Sequence, residues 1–154
     1  MDGGDNTRLT IRRTINAPID RVYRAWTDPA ALRQWFGPSD GHECVLAEAD
    51  LRVGGAYRLA MKTPSGDEHR VSGVYREIDA GRKLVFSWIW ASDPETETLV
   101  TVELRRLDEG TELLLTHELF ADADVRDLHL GGWTGCIDSF VRFTESPPEA
   151  GGAG

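Results

Sequence analysis

A chain of 154 residues has the length of one domain of the commonest size, which argues against two independent domains. Hydrophobic residues make up 40% of it, too many for a disordered protein, and a domain this long buries roughly two thirds of its unfolded surface. The formal net charge of -9 has the wrong sign for neutralising phosphates, so nucleic acid and anionic membranes are poor partners.

No run of about 18 consecutive apolar residues occurs, and Met1-Asp2-Gly3-Gly4-Asp5 lacks a basic region followed by an apolar stretch. The expectation is a cytoplasmic protein with no membrane insertion. Cys44 and Cys136 lie far apart with no CxxC spacing, and both read as buried free thiols. Residues 1–7 and 147–154 are polar or rich in Gly and Pro and have little to bury, so they read as disordered tails around a folded unit spanning 8–146.

In chain order, Leu9, Ile11 and Ile15 place apolar residues on one face of a strand. Pro18 then fits the first turn of a helix carrying Ile19, Val22 and Trp26 at helical spacing. Asp28-Pro29 repeats the cap-then-proline signal, Leu32, Trp35 and Phe36 supply a second stripe, and Gly37-Pro38 ends it. From Glu43 to Leu119 strands alternate with turns at Gly54-Gly55, Pro64-Ser65-Gly66-Asp67, Ala80-Gly81, Asp93-Pro94 and Asp108-Glu109-Gly110.

Within these strands Tyr57, Leu59 and Met61 share one face, as do Leu84, Phe86, Trp88 and Trp90. Val100, Val102 and Leu104 share another, and Leu113, Leu115, His117 and Leu119 form a fourth row, which places His117 among apolar neighbours. After Phe120 the period lengthens, and Val125, Leu128, Trp133, Ile137, Phe140 and Val141 approximate one side of a long helix. Gly131, Gly132 and Gly135 inside it imply either a close neighbouring backbone or open space beside it. The order is strand, two short helices, six strands, long helix. The apolar sheet face needs that helix across it, enclosing a space that bulky side chains either line or fill.

This order resembles the helix-grip fold of the START-like superfamily, which includes the birch-pollen allergen. Local strings resemble the family named for activator of heat-shock protein 90 ATPase homologues: Arg24-Ala25-Trp26-Thr27-Asp28-Pro29, Trp35-Phe36-Gly37-Pro38, Asp50-Leu51-Arg52-Val53-Gly54-Gly55, Gly73-Val74-Tyr75 and Gly132-Trp133. The resemblance spans nearly the whole folded unit and implies an α+β helix-grip fold: a curved antiparallel sheet wrapped around a long C-terminal helix, with two short helices between strands 1 and 2. It further implies a cavity between sheet and helix that binds small apolar or aromatic molecules such as lipids. The name-giving relatives carry a second domain that engages the chaperone, for which this chain has no room, so a chaperone partner rests on the family name alone.

Chemical motifs are few. Gly37-Pro38-Ser39-Asp40-Gly41 matches GxSxG, but a helix ends there and a strand follows, the reverse of a nucleophile elbow. His42 and Cys44 would need His69 or His117 to complete a metal set, and no paired ligand spacing occurs, so no metal or cofactor is expected. The carboxylate pairs Glu48 with Asp50 and Glu95 with Glu97 read as solvated faces. His117 reads as a satisfied core histidine or, in an apolar cavity, as a polar anchor or general base.

The candidate ligand-binding set is Trp35, Tyr57, Leu59, Met61, Phe86, Trp88, Trp90, Val102, Leu115, His117, Trp133, Ile137 and Phe140. Ligand binding is the expected function. A cyclase or hydrolase using His117 as acid/base is the enzymatic alternative, and a chaperone ATPase activator the third. Exposed sheet edges could pair in a homodimer, though no residue demands it.

Overall fold

The computed structural model describes residues 7–37 and 43–145. The two tails from residue 1 to 6 and from 146 to 154, and the segment Pro38 to His42 with its GxSxG serine, lie outside the described residues.

The elements are β1 (Arg8–Ile15), α1 (Ile19–Thr27), α2 (Pro29–Trp35), β2 (Glu43–Ala49), β3 (Ala56–Lys62), β4 (Glu68–Asp79), β5 (Lys83–Trp90), β6 (Thr98–Leu107), β7 (Gly110–Glu118) and α3 (Ala123–Glu145). The seven strands form one antiparallel sheet in the order β1-β7-β6-β5-β4-β3-β2. It is a meander from β2 to β7 with β1 added at the far edge, so α1 and α2 carry the chain from one sheet edge to the other. The expected element order and the α+β helix-grip architecture are what the protein adopts.

The two short helices begin where the sequence signals them. Pro18 holds extended backbone at the start of α1, and the Asp28 carboxylate accepts the Ala30 N–H at 3.0 Å to cap α2, with Pro29 as its first residue. Val22, Ala25 and Trp26 of α1 and Leu32 and Trp35 of α2 are buried. Trp35 locks the pair by donating its indole N–H to the Ala25 carbonyl at 2.8 Å, and its ring centroid lies 5.0 Å from Trp26 and 4.8 Å from Phe140 of α3. The core is therefore an aromatic stack joining all three helices above the sheet.

The sheet bends through register shifts between Cys44 and Leu46 and between Tyr75 and Glu77, since an extra residue on one strand increases twist and curvature. Near the second shift, side chains replace a ladder hydrogen bond. The Tyr57 hydroxyl donates to the Ser87 carbonyl at 2.6 Å, and the Ser87 hydroxyl accepts the Val74 N–H at 2.9 Å. Ser87 is thus fully buried although strand alternation points it away from the core. Gly73 is required beside it, because a Cβ there would collide with the Ser87 carbonyl oxygen.

Leu119 adopts a left-handed backbone, φ 76°, directly after β7. That conformation is strained for a branched residue. It turns Leu119 out to solvent and drops Phe120 into the core, where the Phe120 N–H reaches the Thr7 carbonyl. In α3 the buried positions are Trp133, Cys136, Ile137, Phe140 and Thr144. The apolar stripe expected to continue back to Leu128 does not, since Leu128 is 76% exposed. The C-terminal part of α3 is packed against the core, whereas its N-terminal part borders an open space.

Candidate ligand-binding site

That space is a cavity of about 490 Å³ between the sheet and the N-terminal part of α3. Met61 of β3 and Trp88 and Trp90 of β5 supply the sheet wall; Leu128, His129, Gly132, Trp133 and Cys136 supply the helix wall; Phe36, following α2, contributes a further ring. Thr63, His69 and Ser92 add polar groups, and His69 is exposed with its ring edge-on to Trp90. Among the described residues the lining holds no lysine, arginine, aspartate or glutamate. A Cβ built on Gly131 or Gly132 meets nothing within 4 Å, so these two helical glycines leave open space rather than admit a neighbouring backbone.

Two histidines stand behind and within this wall, and each accepts an indole N–H. Trp133 Nε1 donates to His117 Nδ1 at 2.9 Å, and His117 Nε2 lies 2.7 Å from the Thr98 hydroxyl, itself 3.2 Å from the Trp88 carbonyl. An indole can only donate, so the His117 proton sits on Nε2 and is donated to the Thr98 hydroxyl oxygen, whose own O–H donates to the Trp88 carbonyl. Likewise Trp90 Nε1 donates to His129 Nε2 at 2.9 Å, which leaves the proton on Nδ1, 3.0 Å from the Val125 carbonyl one turn earlier.

Both rings are held neutral. Burial drives the His117 pKa down to about 2, with His129 nearby adding to the effect, and burial lowers His129 as well against the opposing bond to Val125. Burial also pushes the Cys136 thiol up to about 12 and raises Cys44, so both remain protonated free thiols.

Of the expected site residues, Met61, Trp88, Trp90 and Trp133 line the cavity. Trp35, Tyr57, Leu59 and Phe86 instead border a separate void of about 20 Å³, together with Trp26, Leu32 and Tyr75. Val102, Leu115, Ile137 and Phe140 border neither space and are core residues, because α3 is packed closely there. His117 also borders neither: it is fully buried, with its lone pair and its proton both engaged. Of the two readings of His117, this is the geometry of the satisfied core histidine, with Trp133 and Thr98 at its two nitrogens.

Thr63, Ser92 and His129 were not singled out by sequence reasoning, and His69, Leu128, Gly132 and Cys136 were not assigned to the site. His129 stands one helical turn before Trp133, and that spacing is the signal that would have found it. Among the described residues no group of three His, Cys, Asp or Glu side chains is placed to hold a metal ion, and His42, half of the HxC pair, lies outside them. No described helix is long and apolar enough to cross a membrane.

The architecture recurs in solved structures. A Chromobacterium violaceum protein is 28% identical with a TM-score of 0.84, covering 93% of this chain and 100% of its own. The AHSA1 protein of Silicibacter pomeroyi is 24% identical with a TM-score of 0.77, covering 88% of this chain and 95% of its own. An AHSA1-like protein of Aeromonas hydrophila is 24% identical with a TM-score of 0.76, covering 90% of this chain and 92% of its own. No curated protein matches the chain. The family model described as activator of Hsp90 ATPase homolog 1-like protein matches residues 16–145, and the chain therefore belongs to that family.

Proposed function

We propose that this protein binds a small, neutral, largely aromatic molecule in the cavity between the sheet and α3. The observation that carries this reading is the space itself, about 490 Å³ walled by Phe36, Met61, Trp88, Trp90 and Trp133. That size is typical of small-molecule sites, and ring faces at its wall favour a flat apolar guest. Among the described residues the cavity has no counter-charge, and both histidines of its wall network are neutral, which disfavours an ionic ligand.

Catalysis by His117 has no comparable support. A general base needs a free lone pair within reach of substrate, and that of His117 is taken by the Trp133 indole. The test is native mass spectrometry of freshly purified protein, followed by denaturing extraction of any bound species and titration with naphthalene-class probes. A neutral aromatic guest lost in Gly132→Phe is the expected result. Failure of every such probe to bind at millimolar concentration would overturn the reading.

A further inference from the structure

The main cavity and the 20 Å³ void share Phe36, Trp88 and Trp133 as a common wall. Of the five tryptophans, Trp35, Trp90 and Trp133 donate to Ala25, His129 and His117. Among the described residues, the indole N–H groups of Trp26 and Trp88 have no partner, although each residue is only 5% exposed. Both of these residues border the same void.

An indole N–H is satisfied only by an acceptor, and about 10–15 Å³ is enough room for one water-sized oxygen. Tyr57 and Tyr75 border the void as well. The Tyr57 hydroxyl gives its proton to Ser87 and keeps lone pairs for a further donor, so a water accepting from an indole has somewhere to place a hydrogen. Among the described residues the void's lining contains no lysine, arginine or histidine, so a carboxylate or phosphate there would be buried without a counter-charge from them.

We propose that the void bordered by Trp26 and Trp88 is a subsite for one neutral oxygen acceptor. It is filled by a water in the ligand-free protein and by a carbonyl or hydroxyl oxygen of a ligand seated in the main cavity, reached when a ring of the shared wall turns. The ligand half rests on the proposed function, and the water half does not.

The test uses the full chain with ¹⁵N-labelled tryptophan, the side-chain signals being assigned through Trp26→Phe and Trp88→Phe. In free wild type, the Trp26 and Trp88 indole protons are expected to show transfer from a long-lived water. Adding 2-acetylnaphthalene should remove that transfer and shift both indole protons, and this ketone should bind about tenfold tighter than 2-isopropenylnaphthalene, its oxygen-free counterpart.

In Trp26→Phe, a residue outside the main cavity, the ketone's advantage should shrink while the hydrocarbon's affinity holds. Equal affinities with no indole–water contact would overturn the subsite and leave the cavity reading intact. Indole–water contacts with neither naphthalene bound would uphold the subsite as a water site and count against the cavity reading. Tighter binding of 2-naphthoate than of the ketone would overturn the neutral character assigned to the acceptor.

Discussion

Trp133 donates its indole N–H to Nδ1 of His117 at 2.9 Å, so the tryptophan that walls the cavity is held in place by a histidine that does not line it. Protonating His117 would put a hydrogen on Nδ1, facing the indole hydrogen. The bond therefore exists only with the neutral ring.

Acid should weaken the fold for that reason. The unfolded histidine titrates near 6.5 and the folded His117 near 2, so between those values the unfolded chain binds more protons. The contribution is complete above about pH 6.5 and is lost as the pH falls, at a limiting rate of about 1.4 kcal/mol per pH unit, with His129 adding in the same direction. Urea denaturation between pH 7 and 5 checks this, and a flat profile would show that His117 accepts a proton while folded. His117→Leu should reduce the slope and cost about 1–3 kcal/mol at neutral pH by orphaning Trp133 and Thr98.

Gly132 reads out the cavity. Because a Cβ there meets nothing within 4 Å, Gly132→Ala should stabilise α3 by about 1 kcal/mol without a clash. Gly132→Phe should fill the space and abolish ligand binding with the melting temperature preserved. Retained affinity in the phenylalanine variant would move the ligand elsewhere.

The two halves of α3 should respond differently to truncation. Phe140 is fully buried against Trp26 and Trp35, so Phe140→Ala should cost about 3–5 kcal/mol. Leu128 is 76% exposed, and Leu128→Ala should change stability by less than about 0.5 kcal/mol while weakening ligand binding. Equal losses in thermal denaturation would contradict the open N-terminal half.

Tyr57→Phe isolates the sheet's side-chain substitution. Losing the 2.6 Å bond to the Ser87 carbonyl should cost about 1–2 kcal/mol and increase amide exchange at Val74 more than at Leu104, in the distant β6 strand. Uniform exchange across both strands would show that Tyr57 does not hold this part of the ladder.

The fold was legible because its signals are local. The Asp28-Pro29 cap, the alternation through Leu84, Phe86 and Trp88, and the Gly-containing turns each specify an element without reference to the others. The site was legible only in part. Alternation told that His117 points inward, but not that an indole and a threonine would occupy both its nitrogens. Nor does the apolar stripe read along α3 hold together: Leu128 and Ile137 are nine residues apart, half a turn out of phase at 3.6 residues per turn, and one is exposed while the other is fully buried.

The pairing of β1 with β7 has a kinetic consequence. Arg8 lies opposite Glu118, so this ladder closes everything from β1 to β7 into one loop, whereas every other pairing in the sheet joins sequence neighbours. Loop closure of that length is an entropic toll collected before its contacts form, which places the edge strand late in folding and the overall rate in the range of non-local topologies. Until β1 arrives, β7 presents an unprotected edge, and a newly made chain would be most vulnerable to strand-to-strand aggregation during that interval.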